Sequence, residues 1–394
     1  MSQVVMERPQ TIFLIATEPS GAHLGAALIK ELSERLGRNA QFIGIGGAEM
    51  AREGLTSLFP ISELAIVGFA GVAKQLPMLL RRIREAAAAV VQAKPDILVI
   101  IDSPDFTHRV ARRVRKTAPS IPIVDYVSPT VWAWRPGRAR AMARYVDHVL
   151  AVLPFEPDEH RKLGGPPCTY IGHPLIERLD TLRPNAQEQE RRNTPPPVLV
   201  LLPGSRRGEI RHHMPVFGAT LAALQEQGIT VDPVLPTLPH LRDAVNGAVA
   251  QWPVRPRIVT DEAEKQSAFR NARAALAKSG TVTLELALAS VPMVTLYRGG
   301  AVEAWIARRV VRVSSIILAN LVIGENVIPE FHQEECTACN LAPALLNVLN
   351  DTPQRQRQLD AFAKLDRIMG TGGRSPSERA AEIVLQEMER RQTK

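Results

Sequence analysis

Two carboxylates three residues apart, Asp102 and Asp105, close the segment Asp96-Ile97-Leu98-Val99-Ile100-Ile101-Asp102-Ser103-Pro104-Asp105-Phe106. The five apolar residues before Asp102 form the unbroken run expected of a strand covered on both faces, and open parallel sheets bind ligands beyond the carboxyl ends of their strands. A carboxylate fixed at such an end can take a proton from a bound hydroxyl, which makes Asp102 a candidate general base. Asp105 follows Ser103-Pro104, a pairing that starts helices, so it can instead serve the first helical turn. Asp102 is preferred for the chemistry.

Other residues suit anions. VLVLL (198–202) runs directly into Pro203-Gly204-Ser205-Arg206 and then a helical pattern. A helix start offers N–H groups and partial positive charge to a phosphate, Gly204 lets the backbone come near, and Arg206 can add a bidentate contact. By spacing alone, a plain glycine turn with a solvated arginine stays open. Farther on, AALAKSGTVTLELALASVPMVTLY sets Ser279-Gly280-Thr281 between a strand and a helix. Glu285 lies four residues after Thr281 on the same helix face, where it can accept from ribose hydroxyls or simply favour the first turn. The first such junction, Ala16 to Gly25, contains Glu18, Ser20 and Gly21 but is not G-x-G-x-x-G, and no acidic residue ends the next strand, so a dinucleotide site is disfavoured. A P-loop is excluded because the chain has no G-x-x-x-x-G-K-[ST]. Cys336-x-x-Cys339 has neither a second pair nor a nearby histidine pair, and no Asp-x-Asp occurs, so no metal is expected.

The elements that must hold these residues are short apolar runs alternating with amphipathic stretches, the pattern of βαβ units and parallel sheets. Strands are expected at 11–16, 41–46, 97–101, 121–127 and 148–153, and in a second series at 198–202, 231–235, 256–260, 274–277 and 293–297. Between the series, 179–197 is polar and closes in three prolines, as a stiff connector would. At 394 residues the chain exceeds what one core usually organises, so the fold class is α/β with two Rossmann-like, doubly wound domains.

A composition of 45% hydrophobic and 22% charged residues argues against disorder, and the net charge of +8 points to an anionic partner. Nucleic acid is disfavoured, because the basic residues are spread over several helices without zinc-finger spacing or an RRM-type aromatic motif. Three cysteines, Cys168, Cys336 and Cys339, are too few for a disulfide framework, and MSQVVMERPQ lacks the marks of a signal peptide, so a reducing cytoplasm is expected. No apolar run approaches the roughly 18 residues of a membrane span. The stretch from Ala65 to Leu80 is nonetheless rich in apolar residues and is followed by Arg81, Arg82 and Arg84, which suits an interfacial segment on anionic lipid or a core helix with a solvated end.

Over nearly its whole length the chain resembles the lipid-A-disaccharide synthase family. The likeness is carried by IDSPDF (101–106), DYVSPTVWAWR (125–135), LPFE (153–156), YIGHP (170–174), LLPGSR (201–206), SGTVTLE (279–285), PMVTLYR (292–298) and QEEC (333–336). In the first loop the family usually reads like G-E-T-S-G-D; here Glu18, Ser20 and Gly21 remain, as acceptor-side candidates, and the final aspartate is replaced by Ala22.

The resemblance implies a GT-B architecture: two Rossmann-like domains, 1–178 and 198–350, facing across a cleft and joined by a linker at 179–197, with C-terminal helices within 351–394 crossing back to the N-terminal domain. It further implies a homodimer, with exchange of C-terminal portions as one form of it, attached peripherally to the cytoplasmic side of the inner membrane. The implied reaction joins UDP-2,3-diacylglucosamine to 2,3-diacylglucosamine 1-phosphate (lipid X) with inversion, needing no metal or other cofactor. Asp102 would be the base; Gly204, Ser205, Arg206 and the Ser279-Gly280-Thr281 turn would meet the diphosphate. Glu285 would hold the ribose, with Asn320 and Gln333 near the nucleotide. The competing expectation is an isomerase like UDP-N-acetylglucosamine 2-epimerase, which the apolar 65–80 segment and the motifs disfavour.

Overall fold

The computed structural model describes residues 9–64, 69–300 and 315–392. The apolar segment expected at a lipid surface falls partly outside them, since 65–68 and the side chains of 69–75 are not described. The chain divides into two units, Met1–Pro174 with Thr371–Lys394, and Leu175–Gly370.

In the first unit seven parallel strands run in the order β3-β2-β1-β4-β5-β6-β7. These are β1 (Gln10–Ala16), β2 (Ala40–Ile45), β3 (Thr56–Ser57), β4 (Ile97–Ile101), β5 (Ile123–Tyr126), β6 (His148–Ala151) and β7 (Cys168–Tyr170). The order reverses between β1 and β4, the place where such sheets open to ligands. All five residues of β4 are fully buried because each face of the sheet is covered. Leu98 and Ile100 pack with Phe106, Val110 and Val114 on one side. Ile97, Val99 and Ile101 pack with Leu28, Ile29 and Leu32 on the other, where the final helix, Pro376–Gln392, contributes Ala380, Ala381, Val384 and Met388. That helix is tied down by Glu387 to His148 at 3.0 Å and by Arg379 donating to the Tyr170 carbonyl at 2.7 Å.

The second unit has six parallel strands in the order β10-β9-β8-β11-β12-β13. They are β8 (Val198–Leu202), β9 (Asp232–Pro236), β10 (Arg257–Val259), β11 (Ala272–Lys278), β12 (Met293–Tyr297) and β13 (Glu330–His332). Its reversal lies between β8 and β11, so the Pro203 and Ser279 turns leave neighbouring strands.

Two expectations about the connections are corrected. The 179–197 stretch is not a bare connector: it forms helices Leu179–Leu182 and Ala186–Asn193, and buried Arg192 anchors it to the second unit through four backbone carbonyls. Nor does the whole of 351–394 return to the first unit. Helix Pro353–Ala363 stays with the second, where the Gln358 side chain pairs with both the N–H and the C=O of Met293 at 2.8 and 3.0 Å.

Candidate functional site

At the end of β4 the backbone turns left-handed twice in succession, at Asp102 (φ 52°) and Ser103 (φ 47°), and beside it Val127 at the end of β5 does the same (φ 80°). Such conformations cost non-glycine residues on the order of 1–3 kcal/mol each and persist where the surroundings enforce them. Here the Asp102 N–H donates to the Tyr126 carbonyl at 3.0 Å and the Val127 N–H to the Leu150 carbonyl at 3.0 Å. The Thr107 hydroxyl donates to the carbonyls of Asp102 and Ser103 at 2.7 and 3.1 Å. The turn aims the Asp102 carboxylate at its own loop: Oδ1 accepts from the Ser103 N–H at 2.6 Å and Oδ2 faces the Ser20 hydroxyl at 3.5 Å.

A cavity of about 330 Å³ opens there, with Thr17, Glu18, Asp102, Ser103 and Asp105 on its polar side and Leu64, Leu79 and Phe106 on its apolar side. Asp105 is in the first turn of helix Pro104–Thr117, 84% exposed, with Arg138 at 3.6 Å. Of the two carboxylates, Asp102 is the one the fold holds in place. Gly21 does not line the cavity; a Cβ there would lie 3.3 Å from the Ile101 carbonyl oxygen, so its role is to let helix Pro19–Leu36 approach β4.

Behind this rim lies a buried polar layer that explains the DYVSPTVWAWR and LPFE motifs. The Ser128 hydroxyl meets His160 Nε2 at 2.8 Å, and Glu156 accepts from Trp132 Nε1 at 3.3 Å and from the Leu153 N–H at 3.0 Å. Burial pushes the Glu156 carboxyl up to about 8, so it is largely uncharged at neutral pH. Fully buried Asp125 lies 3.3 Å from His108, which also meets the Tyr145 hydroxyl at 2.9 Å. These groups shape the loops after β5 and β6. His108, Tyr145 and His160 were not legible as members, since nothing in local spacing couples them to Asp125 or Ser128.

In the second unit the turn after β8 already holds an anion from its own chain. Glu209, in the first turn of helix Arg207–Glu226, accepts through Oε2 from the N–H groups of Ser205 at 2.9 Å and Arg206 at 3.3 Å. Its Oε1 faces the Arg206 guanidinium at 3.3 Å and Lys278 Nζ at 3.1 Å. Burial opposes ionisation of Glu209, but Lys278, the Ser205 N–H and Arg206 outweigh it and hold the carboxyl below its ordinary range. Gly204 is at φ 124°, and a Cβ there would come within 2.4 Å of Glu209 Oε2, so glycine is required. His213 braces the turn from beneath: its Nε2 accepts from the Arg298 N–H at 3.0 Å, so Nδ1 carries the proton and donates to the Pro203 carbonyl at 2.7 Å. Burial lowers its pKa, in keeping with that neutral form.

The remaining candidates divide. Thr281 is exposed at the start of helix Val282–Leu288, whereas Ser279 is buried, its hydroxyl 3.4 Å from the Leu296 carbonyl. Gly280 accepts from the Thr283 hydroxyl at 2.7 Å. Glu285 is engaged by Lys265 at 3.0 Å. Asn320, expected near the nucleotide, hydrogen-bonds within the fold. Its Oδ1 accepts from the N–H groups of Val327 and Ile328, and its Nδ2 donates to the Ile328 carbonyl and Glu330. Gln333 turns its amide to the Gly299 backbone, and the orientation that satisfies both atoms pairs it with the N–H and C=O there at 3.3 Å. Lys278 and Glu209 escaped sequence reading because their meeting depends on the β8–β11 pairing. Among the described residues, no group of three or more His, Cys, Asp or Glu side chains is arranged to hold a metal ion.

Two doubly wound parallel units of this kind define the GT-B class. Solved structures share the fold at low identity: UDP-GlcNAc 2-epimerase from Neisseria meningitidis (TM-score 0.62, 12% identity, 96% of this chain and 100% of that one) and MurG of Acinetobacter baumannii (0.57, 13%, 96% and 100%). The family model for Lipid-A-disaccharide synthetase, LpxB, matches residues 12–384. The Lipid-A-disaccharide synthase of Nitrobacter hamburgensis is 70% identical over 377 residues, covering 96% of this chain and 95% of the relative. That of Rhodospirillum centenum is 44% identical over 380 residues, 96% and 94%. The chain belongs to the lipid-A-disaccharide synthase family and is a glycosyltransferase.

Proposed function

We propose that this chain transfers the 2,3-diacylglucosaminyl group of UDP-2,3-diacylglucosamine to the 6-hydroxyl of 2,3-diacylglucosamine 1-phosphate. The product is the β-1,6-linked disaccharide 1-phosphate, with UDP released and no metal or other cofactor taking part. The observation that carries this reading is the cavity of the first unit, which sets a rigidly held carboxylate beside an apolar wall, as an acylated sugar alcohol requires. Asp102 takes the 6-hydroxyl proton as the oxygen attacks C1; the C1–O bond to the diphosphate breaks from the opposite face, which inverts the centre. Donors around the Pro203-Gly204-Ser205-Arg206 turn receive the charge that develops on the diphosphate, with Thr281 and Glu285 assigned to the same nucleotide. Likeness to 2-epimerases is one of fold alone, at 12% identity. Mass spectrometry of the products from defined acylated donor and acceptor tests the reading: a disaccharide 1-phosphate is expected, and an epimerised monosaccharide would reject it.

Arg206 is 81% exposed and so available to a ligand. Arg206→Ala is expected to weaken UDP binding about tenfold by calorimetry, the worth of one charge-assisted contact. Unchanged affinity would remove Arg206 from the diphosphate site.

Both substrates carry acyl chains, so we place the enzyme at the cytoplasmic face of the inner membrane, peripherally bound and homodimeric. No helix among the described residues is long and apolar enough to cross a membrane. The apolar segment before Arg81, Arg82 and Arg84 is assigned to the lipid surface. Replacing Ile66, Val67 and Phe69 by Ser is expected to release the protein into the supernatant when membranes are sedimented; undiminished sedimentation would reject the assignment.

A further inference from the structure

Four donors from two strand ends converge on the Glu209 carboxylate: the N–H groups of Ser205 and Arg206, the Arg206 guanidinium, and Lys278 Nζ. Three belong to the turn to which the diphosphate is assigned above. The fourth comes from the last residue of β11 and was not part of that assignment. Lys278 is 18% exposed and Glu209 13%, so this is a partly desolvated cluster in which a charge-assisted contact keeps more of its strength than at the surface. The two amides both point at Oε2, so neither is free for a second anion while Glu209 stays.

We infer that Glu209 is an internal stand-in for the donor's diphosphate, and that Lys278 is a further diphosphate-binding residue which passes from the carboxylate to the phosphate when the donor enters. This rests on the reading of the turn as the donor's diphosphate site. Before the donor arrives, the carboxylate keeps four cationic or N–H donors gathered and satisfied, where their mutual repulsion would otherwise spread them. A diphosphate, with more charge and more acceptor oxygens, takes the same donors and drives the Glu209 side chain out toward solvent. Like-charge repulsion between carboxylate and phosphate means that donor binding bears the cost of this displacement, and removing the carboxylate's charge removes that cost.

The test is binding of UDP and of uridine to the full chain by titration calorimetry. Lys278→Met is expected to weaken UDP about tenfold, equivalent to about 1.4 kcal/mol, and to leave uridine unchanged. Glu209→Gln, which keeps an acceptor for the Ser205 N–H, is expected to tighten UDP about three- to tenfold. UDP affinity unaltered in Lys278→Met, or unaltered or weakened in Glu209→Gln, overturns the inference. Uridine binding reports whether each variant is folded; if Lys278→Met loses it, Glu209→Gln decides alone. A wild-type chain that binds uridine but gains nothing from the two phosphates would instead sink the donor reading itself, and this inference with it.

Discussion

Asp102→Asn is expected to lower kcat by about 10²–10⁴-fold while UDP affinity stays within about twofold of wild type. Asparagine is the informative replacement because it keeps the shape of the side chain and an oxygen to accept from the Ser103 N–H at 2.6 Å. It also tolerates the left-handed backbone at φ 52° better than alanine does. The turn should therefore survive and only the capacity to take a proton be lost. Asp105→Asn is the paired control: that side chain is 84% exposed and, among the described residues, meets Arg138 at 3.6 Å, so its removal should cost less than about tenfold. Rates for both variants in a disaccharide-forming assay decide the matter. A vigorous Asp102→Asn enzyme with a crippled Asp105→Asn enzyme would reverse the assignment.

Strained backbone at two adjacent strand ends bears on why that position matters. Three non-glycine residues, Asp102, Ser103 and Val127, occupy conformations that sequence preferences disfavour. They are enforced by the Thr107 hydroxyl, which donates to the Asp102 carbonyl, by the Tyr126 and Leu150 carbonyls, which accept from the Asp102 and Val127 N–H groups, and behind them by the buried layer of Asp125, His108, Ser128, His160 and Glu156. Strained local geometry at a strand end, backed by a buried polar layer, is where ligand rims are commonly found.

Both sheets were legible because buried parallel strands leave unbroken apolar runs; ILVII and VLVLL end within a residue of the turns that carry Asp102 and Gly204. Strands β3, β7 and β13 were not, being two or three residues long at or near sheet edges, too short to show a period. The 179–197 stretch reads as a linker because of its polarity, while its hold on the second unit is made of long-range contacts that local spacing does not show: Arg192 to four carbonyls, Glu188 with Arg270, Arg191 with Asp232 and Asn193 with Arg273. The same limit applies at the site. Residue types and strand-end position pointed to the Pro203 turn, but local spacing cannot show that Glu209 fills its amides or that Asn320 spends its amide on Val327, Ile328 and Glu330. Side chains that read as ligand contacts in one dimension are, in three, also bonded to the fold itself.

Arg192→Leu should destabilise the second unit by about 3–5 kcal/mol. Its guanidinium, 3% exposed, donates to the carbonyls of Phe269 and Arg270 at the end of helix Glu262–Asn271 and to those of Ala289 and Ser290 just past helix Val282–Leu288, at 2.7–3.1 Å. Helix C-termini present carbonyls without intrahelical partners and carry partial negative charge, so one buried cation serves two helix ends together. Burial already lowers the Arg192 pKa to about 10, a sign that its desolvation is costly; the hydrogen bonds must offset that cost for the arrangement to stand. Leucine would remove the charge and leave the carbonyls facing an apolar side chain, whereas Arg192→Lys would keep the charge with fewer donors and should lose less. Because helix Val282–Leu288 begins at the Ser279-Gly280-Thr281 turn and carries Glu285, loosening its far end should weaken UDP binding as well as stability. Urea unfolding monitored by fluorescence, with UDP titration alongside, reads both. A leucine variant as stable as wild type would mean that the guanidinium's desolvation cancels its hydrogen bonds, and that the pairs Glu188–Arg270 and Arg191–Asp232 suffice to hold 179–197 to the second unit.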